Sequence, residues 1–257
     1  MTPDWTVRRA WTLVERNMLI YRHAPTELVF GLVEPLMYLL TIGFGVGVLV
    51  GSVPGVHVRY AAYVAPAILA TTAMNTAFNQ TAFGVYVRAR VEGTYEAIVP
   101  TPLSVADIAV GEVTSAVLNG VLTSVGFLAA AALLGLISSP GVLLAVPGAA
   151  VVGFAFAAAG LAVTTYLRGF ADFQLIQLVM LPMYLFATTF YPLSTYPDWL
   201  RPAIEVLPLY QSIQLIREPA LGHHDPATLG IAAAYLLVLG LVALRLGTRR
   251  MTALLLG

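Results

Sequence analysis

The chain has 257 residues, of which 59% are hydrophobic and only 10% are charged, with thirteen basic and thirteen acidic side chains. Soluble domains of this size rarely reach its mean hydropathy of +0.84, so the sequence predicts a membrane protein. The balanced charge leaves no basic field for nucleic acid. Every basic residue is arginine and there is no cysteine, which excludes a phosphate-loop lysine, a Schiff-base lysine, disulfides and thiolate metal sites.

Residues 1–26 predict an amphipathic helix at the membrane surface rather than a cleavable signal peptide, because charged side chains occupy the place of the signal's apolar core. The apolar stripe, at spacings of four and three, comprises Val7, Trp11, Val14, Met18 and Tyr21. Arginines and Glu15 fall on the opposite arc. By this pattern alone, the segment is interpreted as a passive anchor on anionic lipid.

Six apolar segments follow, each near the length of about 20 residues that an α-helix needs to cross a bilayer. They are predicted at residues 28–50, 60–83, 105–137, 142–167, 173–191 and 229–246. The third is longer than one bilayer thickness, so part of it is expected to tilt or to enter water. We expect Ser104 and Asp107 to form a capping box at its start. The predicted fold class is therefore an all-α polytopic membrane protein, a single domain over residues 1–257 with its six-helix part at 28–247.

The arginines predict the orientation of these spans. One set of connections, which includes both termini, carries ten arginines, whereas the opposite set carries only Arg59, Arg201 and Arg217. Both termini and the connection between spans two and three are therefore predicted to face the cytosol. The longest outside connection, residues 192–228, is semi-apolar and broken by prolines, which favours short helices in a hairpin at the outer leaflet.

The cytosolic connection "VRARVEGTYEAIVPTPLS", residues 87–104, carries clustered charges between two apolar stretches. Apolar and polar residues alternate from Val85 to Glu92, a pattern typical of a strand, whereas the run after Gly93 is typical of a short helix starting at Thr94. The pattern alone does not decide the shape of this connection. A plain positive-inside loop is the alternative to a functional element.

Several motifs in order resemble one family over most of the chain. They are "VEPLMYLLTIGFGVG", "YVAPAILATTAMNTAFNQTAFGVYVR", "EGTYEAIVPTPLS", "LPMYLFATTFYPLSTYPDWL" and "LPLYQSIQLIREPALG". Together they resemble the membrane subunits of type-2 ABC exporters, and within that family the branch that exports lipo-oligosaccharide nodulation signals. Daunorubicin-type drug export permeases are related members.

The resemblance implies a function and a set of partners. Residues of the connection would form a coupling helix that sits on a separate ATPase subunit: Arg88, Arg90, Gly93, Thr94, Tyr95 and Glu96. The run Arg-Ala-Arg-Val before Gly93 departs from the family pattern. The amphipathic helix at residues 1–26 would resemble the family's interface helix, a second contact with the same partner, and the passive lipid anchor is the alternative. Two ATPase subunits would bind ATP and Mg²⁺, two permease copies would pair as a homodimer, and the chain itself would hold no cofactor and catalyse no reaction. The implied location is the bacterial inner membrane, surrounded by lipid.

Polar and aromatic side chains within the spans are the candidates for a substrate path. They are Glu34, Tyr38, Asn75, Asn79, Tyr184 and Phe190. Each has a plainer interpretation, since a carboxylate or an amide at membrane depth can pair with a neighbouring helix, and aromatic rings can form an interfacial belt. Glu112 and Asn119 on the third span are equally ambiguous.

Other functions fit less well. An intramembrane enzyme needs a nucleophile and a base, and the sequence has neither a GxSxG serine motif nor a histidine within a span. The cluster His223, His224 and Asp225 lacks further ligands at suitable spacing, which favours a solvated loop over a zinc site. An ATP-independent carrier would be expected to show an internal repeat, and the six spans show none.

Overall fold

A computed structural model describes residues 14–16, 25–50, 58–95, 103–137, 139–222 and 225–256, and the side chains of residues 25–30, 50 and 256 are left out of the description. Most of the predicted surface helix at 1–26 lies outside these residues. Of that segment, Val14 is buried, Glu15 is exposed and both are helical. Residues 96–102, which include Glu96, and the pair 223–224 also lie outside the described residues.

The described residues form helices and contain no β-strand. Helix α1 comprises Pro25–Tyr38, a π-helical stretch Leu39–Val46 and a last turn Gly47–Val50. The other long helices are α2 (Tyr60–Tyr86), α3 (Val105–Leu133), α4 (Ala145–Thr164) and α5 (Asp172–Phe186). The chain closes with α6 (Arg201–Glu205), α7 (Pro208–Ala220) and α8 (Pro226–Leu256).

Four helical segments are long and apolar enough to cross a membrane: Gly31–Leu49, Val105–Leu133, Pro140–Thr164 and Pro226–Leu255. The chain is thus an all-helical, multi-pass membrane protein. Helix α2 has 27 residues but is less apolar than these four, and α5 has only 15 residues. The full set of six predicted spans therefore remains a proposal.

The core is built around α2 and α4, which pack closely on each other, and α3, α7 and α8 pack around this pair. Small residues allow the close approach. A Cβ on Gly160 of α4 would overlap Thr81 Oγ1 and lie 2.7 Å from the carbonyl oxygen of Phe78 on α2. A Cβ on Gly247 of α8 would lie 3.1 Å from Ala162 Cα on α4. These contacts fix α2, α4 and α8 as one packed unit.

Helix α5 stands apart from this unit. None of its residues is buried, and it touches the neighbouring helices through aromatic rings and through half-buried aliphatic side chains such as Ile176 and Met180. Phe173 meets Phe83 of α2 edge to face, with 5.5 Å between the ring centroids. Because α5 is held at one side only, a cleft opens between α5, α1 and α2.

The predicted capping box at the start of α3 is confirmed. Ser104 Oγ accepts a hydrogen bond from the backbone N–H of Asp107, and Asp107 Oδ2 accepts one from the backbone N–H of Ser104. The helix ends at Leu133 rather than at residue 137, because Gly135 takes a positive φ of 67° that breaks the helical run.

The strand-like interpretation of Val85 to Glu92 is wrong. The backbone of α2 continues as a π-helical turn through Val87–Val91. The chain then turns at Gly93, whose φ of 63° favours glycine, and Thr94 and Tyr95 are again helical. The alternating pattern does not produce a strand, because these side chains pack on other helices. Val85 and Tyr95 belong to an apolar cluster with residues of α3 and α4, and Arg88 binds Glu112 of α3.

Candidate functional site

The cleft between α1, α2 and α5 has a volume of about 290 Å³. Its polar lining comes from seven side chains: Glu34, Thr71, Thr72, Asn75, Thr76, Asn79 and Gln177. Ile68, Met74, Met180 and Leu181 supply apolar surface. The mixture fits a ligand that is part polar and part apolar.

Five of the six residues predicted for a substrate path line this cleft: Glu34, Tyr38, Asn75, Asn79 and Tyr184. The sixth, Phe190, does not line it but packs on Tyr184, with ring centroids 5.3 Å apart and planes at 89°. The structure thus brings the six side chains to one region. Whether a substrate passes there is a separate question, taken up below.

The three amide side chains of α2, those of Asn75, Asn79 and Gln80, point in two different directions. Gln80 faces α3, where its Oε1 accepts a hydrogen bond of 2.8 Å from Asn119 Nδ2. Asn75 and Asn79 point into the cleft and make no side-chain hydrogen bond within the described part of the chain. The two threonines beside them, Thr71 and Thr72, donate to carbonyl oxygens one turn earlier in α2.

Sequence reasoning missed Gln177 as a lining residue of the cleft. With Gln174 it is one of two amides in the otherwise apolar run of α5, and that contrast was the available signal. Gln177 lines the cleft because α5 packs beside α1 and α2, and contacts between segments so far apart in the chain cannot be predicted from a local sequence pattern.

A second polar site joins α3 to the start of residues 87–104, called here the coupling segment after its predicted role. Its centre is Glu112, whose side chain is fully buried. Arg88 Nη2 lies 2.7 Å from Glu112 Oε2, and Arg16 Nη2 lies 3.1 Å from Oε1. Tyr95, also fully buried, donates from its hydroxyl to Glu112 Oε1 at 2.9 Å and accepts from Arg88 Nε at 3.2 Å.

This set, called here the Glu112 cluster, contains Arg16, Arg88, Tyr95 and Glu112. Burial raises the pKa of the Tyr95 hydroxyl, and the Glu112 carboxylate raises it further. Tyr95 therefore stays protonated at neutral pH and keeps its role as a donor. The cluster connects the N-terminal segment, the end of α2, the coupling segment and α3 through one carboxylate.

Of the other residues predicted for coupling, Arg90 is exposed, and Gly93 and Thr94 are half-buried. Glu92, which was not among them, is exposed. Thr94 Oγ1 donates to Glu92 at 3.1 Å. Arg88 and Tyr95 thus face the protein interior, while Arg90 faces outward.

A third polar site, which sequence reasoning also missed, lies at the other end of the chain's core. Arg217 of α7 is buried, and its Nη1 donates to Tyr63 Oη at 2.9 Å while Nη2 donates to the Thr188 carbonyl at 2.8 Å. Its guanidinium also lies 4.0 Å from the centre of the Tyr63 ring. Thr188 has a positive φ of 61°, uncommon for threonine. Arg217 thereby ties α7 to α2 and to the segment after α5.

Comparison with known proteins gives consistent results. The family model described as ABC-2 type transporter matches residues 8–220. The chain is 34% identical over 247 residues to nodulation protein J of Rhizobium leguminosarum bv. viciae, covering 94% of this chain and 95% of that protein. It is 36% identical over 216 residues to nodulation protein J of R. leguminosarum bv. trifolii, covering 83% and 82%. It is 31% identical over 248 residues to nodulation protein J of Neorhizobium galegae, covering 94% of both chains.

The match spans α1 to α7, and therefore includes the cleft, the Glu112 cluster and Arg217. On this match and on the all-helical membrane fold, the chain belongs to the ABC-2 type transporter family.

Proposed function

We propose that this chain is the permease subunit of an ATP-driven exporter and moves an amphipathic glycolipid or lipo-oligosaccharide. The cleft between α1, α2 and α5 is the observation that carries the proposal, because it places amide, hydroxyl and aromatic groups beside methionine and leucine side chains. Amides and hydroxyls suit a sugar, and apolar side chains suit an acyl chain. The match to proteins named nodulation protein J supports the same class of cargo.

In this proposal six helices span the bacterial inner membrane: α1, α2, α3, α4, α5 and α8. Helix α2 is not among the four most apolar segments because amides and threonines interrupt its apolar residues, and five of these polar side chains line the cleft. The excess of arginine in one set of connections supports cytosolic termini and a cytosolic coupling segment. Helices α6 and α7 then form the hairpin on the outer side.

ATP is hydrolysed elsewhere in this proposal, because a chain without lysine cannot form a P-loop. Two copies of an ATPase subunit, which bind ATP and Mg²⁺, would contact two copies of this permease. The outward-facing Arg90 and the half-buried Gly93 and Thr94 would touch the ATPase, together with Glu96, which lies outside the described residues. Arg88 and Tyr95 would transmit the movement to Glu112 on α3. A rigid element of this kind passes on a partner's opening and closing.

Co-purification followed by reconstitution tests the proposal. The chain, expressed with an ABC ATPase encoded beside it, should bring that ATPase down, and the complex in proteoliposomes should move a labelled lipo-oligosaccharide only when ATP is supplied. Export of a hydrophobic drug without export of the lipo-oligosaccharide would favour a drug efflux permease instead. Transport that persists without any ATPase would contradict the proposal.

A further inference from the structure

The formal charge on the described lining of the cleft is negative. Among the described residues that line it, Glu34 is the only one with a formal charge, and no arginine or histidine lines it. Glu34 makes no hydrogen bond or ion pair with any residue that the structure describes. A carboxylate within a membrane helix is costly without a partner or water, so the cleft offers a site where a ligand's positive charge would be stabilised.

The aromatic wall of the cleft favours the same charge. Tyr38 of α1 and Tyr184 of α5 are neighbours, with ring centroids 6.4 Å apart and ring planes tilted by 57°. The faces of such rings attract cations as well as the apolar faces of sugars. Glu34 and Tyr38 lie one turn apart on α1, Tyr184 comes from α5, and all three line the same cavity.

The remaining polar groups are neutral. Asn75, Asn79 and Gln177 each present both donors and acceptors, which suits hydroxyl and N-acyl groups without selecting a charge. An anionic headgroup would meet no counter-charge among the lining residues and would be repelled by Glu34. Charge selection in the cleft therefore rests on Glu34 and the two tyrosine rings.

We propose that the cleft selects an amphiphile whose polyhydroxylated headgroup carries a protonated amine, and that Glu34 is the residue that binds this ammonium group. The inference rests on the proposed function in taking the cleft as the cargo site. It adds the charge of the headgroup: amine-bearing sugars are preferred over neutral ones, and carboxylated, sulfated or phosphorylated ones are rejected.

The test compares three alkyl pyranosides with the same dodecyl chain: the glucosaminide, the glucoside and the glucuronide. Binding to the purified chain in zwitterionic nanodiscs is measured at neutral pH by equilibrium dialysis with radiolabelled ligand, and empty nanodiscs give the lipid background. The glucosaminide should bind about ten- to a hundredfold more tightly than the glucoside, the range expected for one charge-assisted hydrogen bond. The glucuronide should bind most weakly.

Matched variants identify the residue. Glu34→Gln should remove the preference for the amine, so that glucosaminide and glucoside bind with equal affinity, and Glu34→Asp should keep part of the preference. Glu205→Gln, which removes an equal charge from exposed α6, should leave all three affinities unchanged. Thermal unfolding of each variant verifies folding, and Glu34→Asp keeps the test decisive if Glu34→Gln does not fold.

Equal binding of glucosaminide and glucoside, or an amine preference that survives Glu34→Gln, would overturn the inference. Tightest binding of the glucuronide would do the same. These outcomes are distinct from a failure of the proposed function. ATP-driven export without a charge preference would contradict this inference but support the exporter role. Charge-selective binding without an ATPase partner or transport would support the binding site but contradict the exporter role.

Discussion

At the scale of single residues, Glu112 is a buried carboxylate in an apolar helix that binds several polar side chains at once. It is fully buried and holds two arginines and a tyrosine that come from three separate parts of the chain. A buried charge is tolerated when it is paired and its lone pairs are satisfied. The same pairing makes each partner dependent on the others.

Glu112→Gln is expected to destabilise the protein by about 3 kcal/mol, the lower part of the range for breaking a buried ion pair, because both guanidinium groups keep some access to solvent. Denaturant unfolding in detergent micelles would measure the change. Asp198→Asn is the control: it removes a pair with Arg201 in which the carboxylate is 89% exposed, and the expected cost is below about 0.5 kcal/mol. Equal costs for both variants would show that the Glu112 cluster contributes nothing special.

Arg217 is the second residue for which the structure predicts a large effect. Arg217→Lys should cost about 2 kcal/mol, because an ammonium group cannot reach Tyr63 and the Thr188 carbonyl together and so leaves a buried acceptor unpaired. Thermal unfolding in nanodiscs would measure this. Arg201 also donates to two carbonyls but is half-exposed, so Arg201→Lys should be nearly neutral. The interpretation of Arg217 as a structural tie fails if the two substitutions behave alike.

At the scale of helices, the interface of α2 with α4 is set by small residues. Gly160→Ala is expected to destabilise by about 1–3 kcal/mol, because the new methyl group meets backbone atoms of α2 that cannot move aside. The control is Gly230→Ala in α8, where nothing lies within 4 Å of the added Cβ and helix propensity favours alanine. The loss should appear as a lower unfolding midpoint for the α4 variant only; a Gly160→Ala protein as stable as the parent would show that α2 and α4 can separate slightly at no cost.

Local chemistry explains which elements the sequence could predict. The capping box of Ser104 and Asp107 depends on residues three apart, so it was readable from the sequence and is confirmed. The alternation from Val85 to Glu92 was also local, but the helix of α2 overrode it because Arg88 reaches back to Glu112 from a helical backbone. Polar residues such as Glu34, Asn75 and Asn79 stand out from their apolar runs, although Gln177 was missed. The partners of polar residues across the fold were not predicted, since pairing over tens of residues has no signature in one sequence.

At the scale of the whole molecule, polar contacts fix both ends of α2, with the cleft between them. The Glu112 cluster lies at the ends of α2 and α3 that adjoin the coupling segment, and Arg217 ties the opposite end of α2 to α7. The cleft lies along α2 between these two ties. A movement of the coupling segment would therefore reach the cleft through α2 and α3 rather than through α5.

The orientation can be tested directly because the chain has no cysteine of its own. Glu92→Cys and Ser194→Cys place single thiols at exposed positions in the coupling segment and in the segment before α6. A membrane-impermeant maleimide should label Ser194→Cys in intact spheroplasts and Glu92→Cys only in inverted vesicles, as detected by a mass shift on gels. Labelling of both positions from the same side would contradict the proposed topology. Labelling of each position from the side opposite to the expected one would show that the topology is reversed.

The absence of buried residues in α5 has a further consequence. One wall of the cleft is backed by whatever surrounds the protein, whether acyl chains or a second copy, so the width of the cleft depends on lateral pressure and bilayer thickness. Affinity for cargo should then shift with the length of the surrounding lipid tails, and the membrane itself becomes part of the binding site.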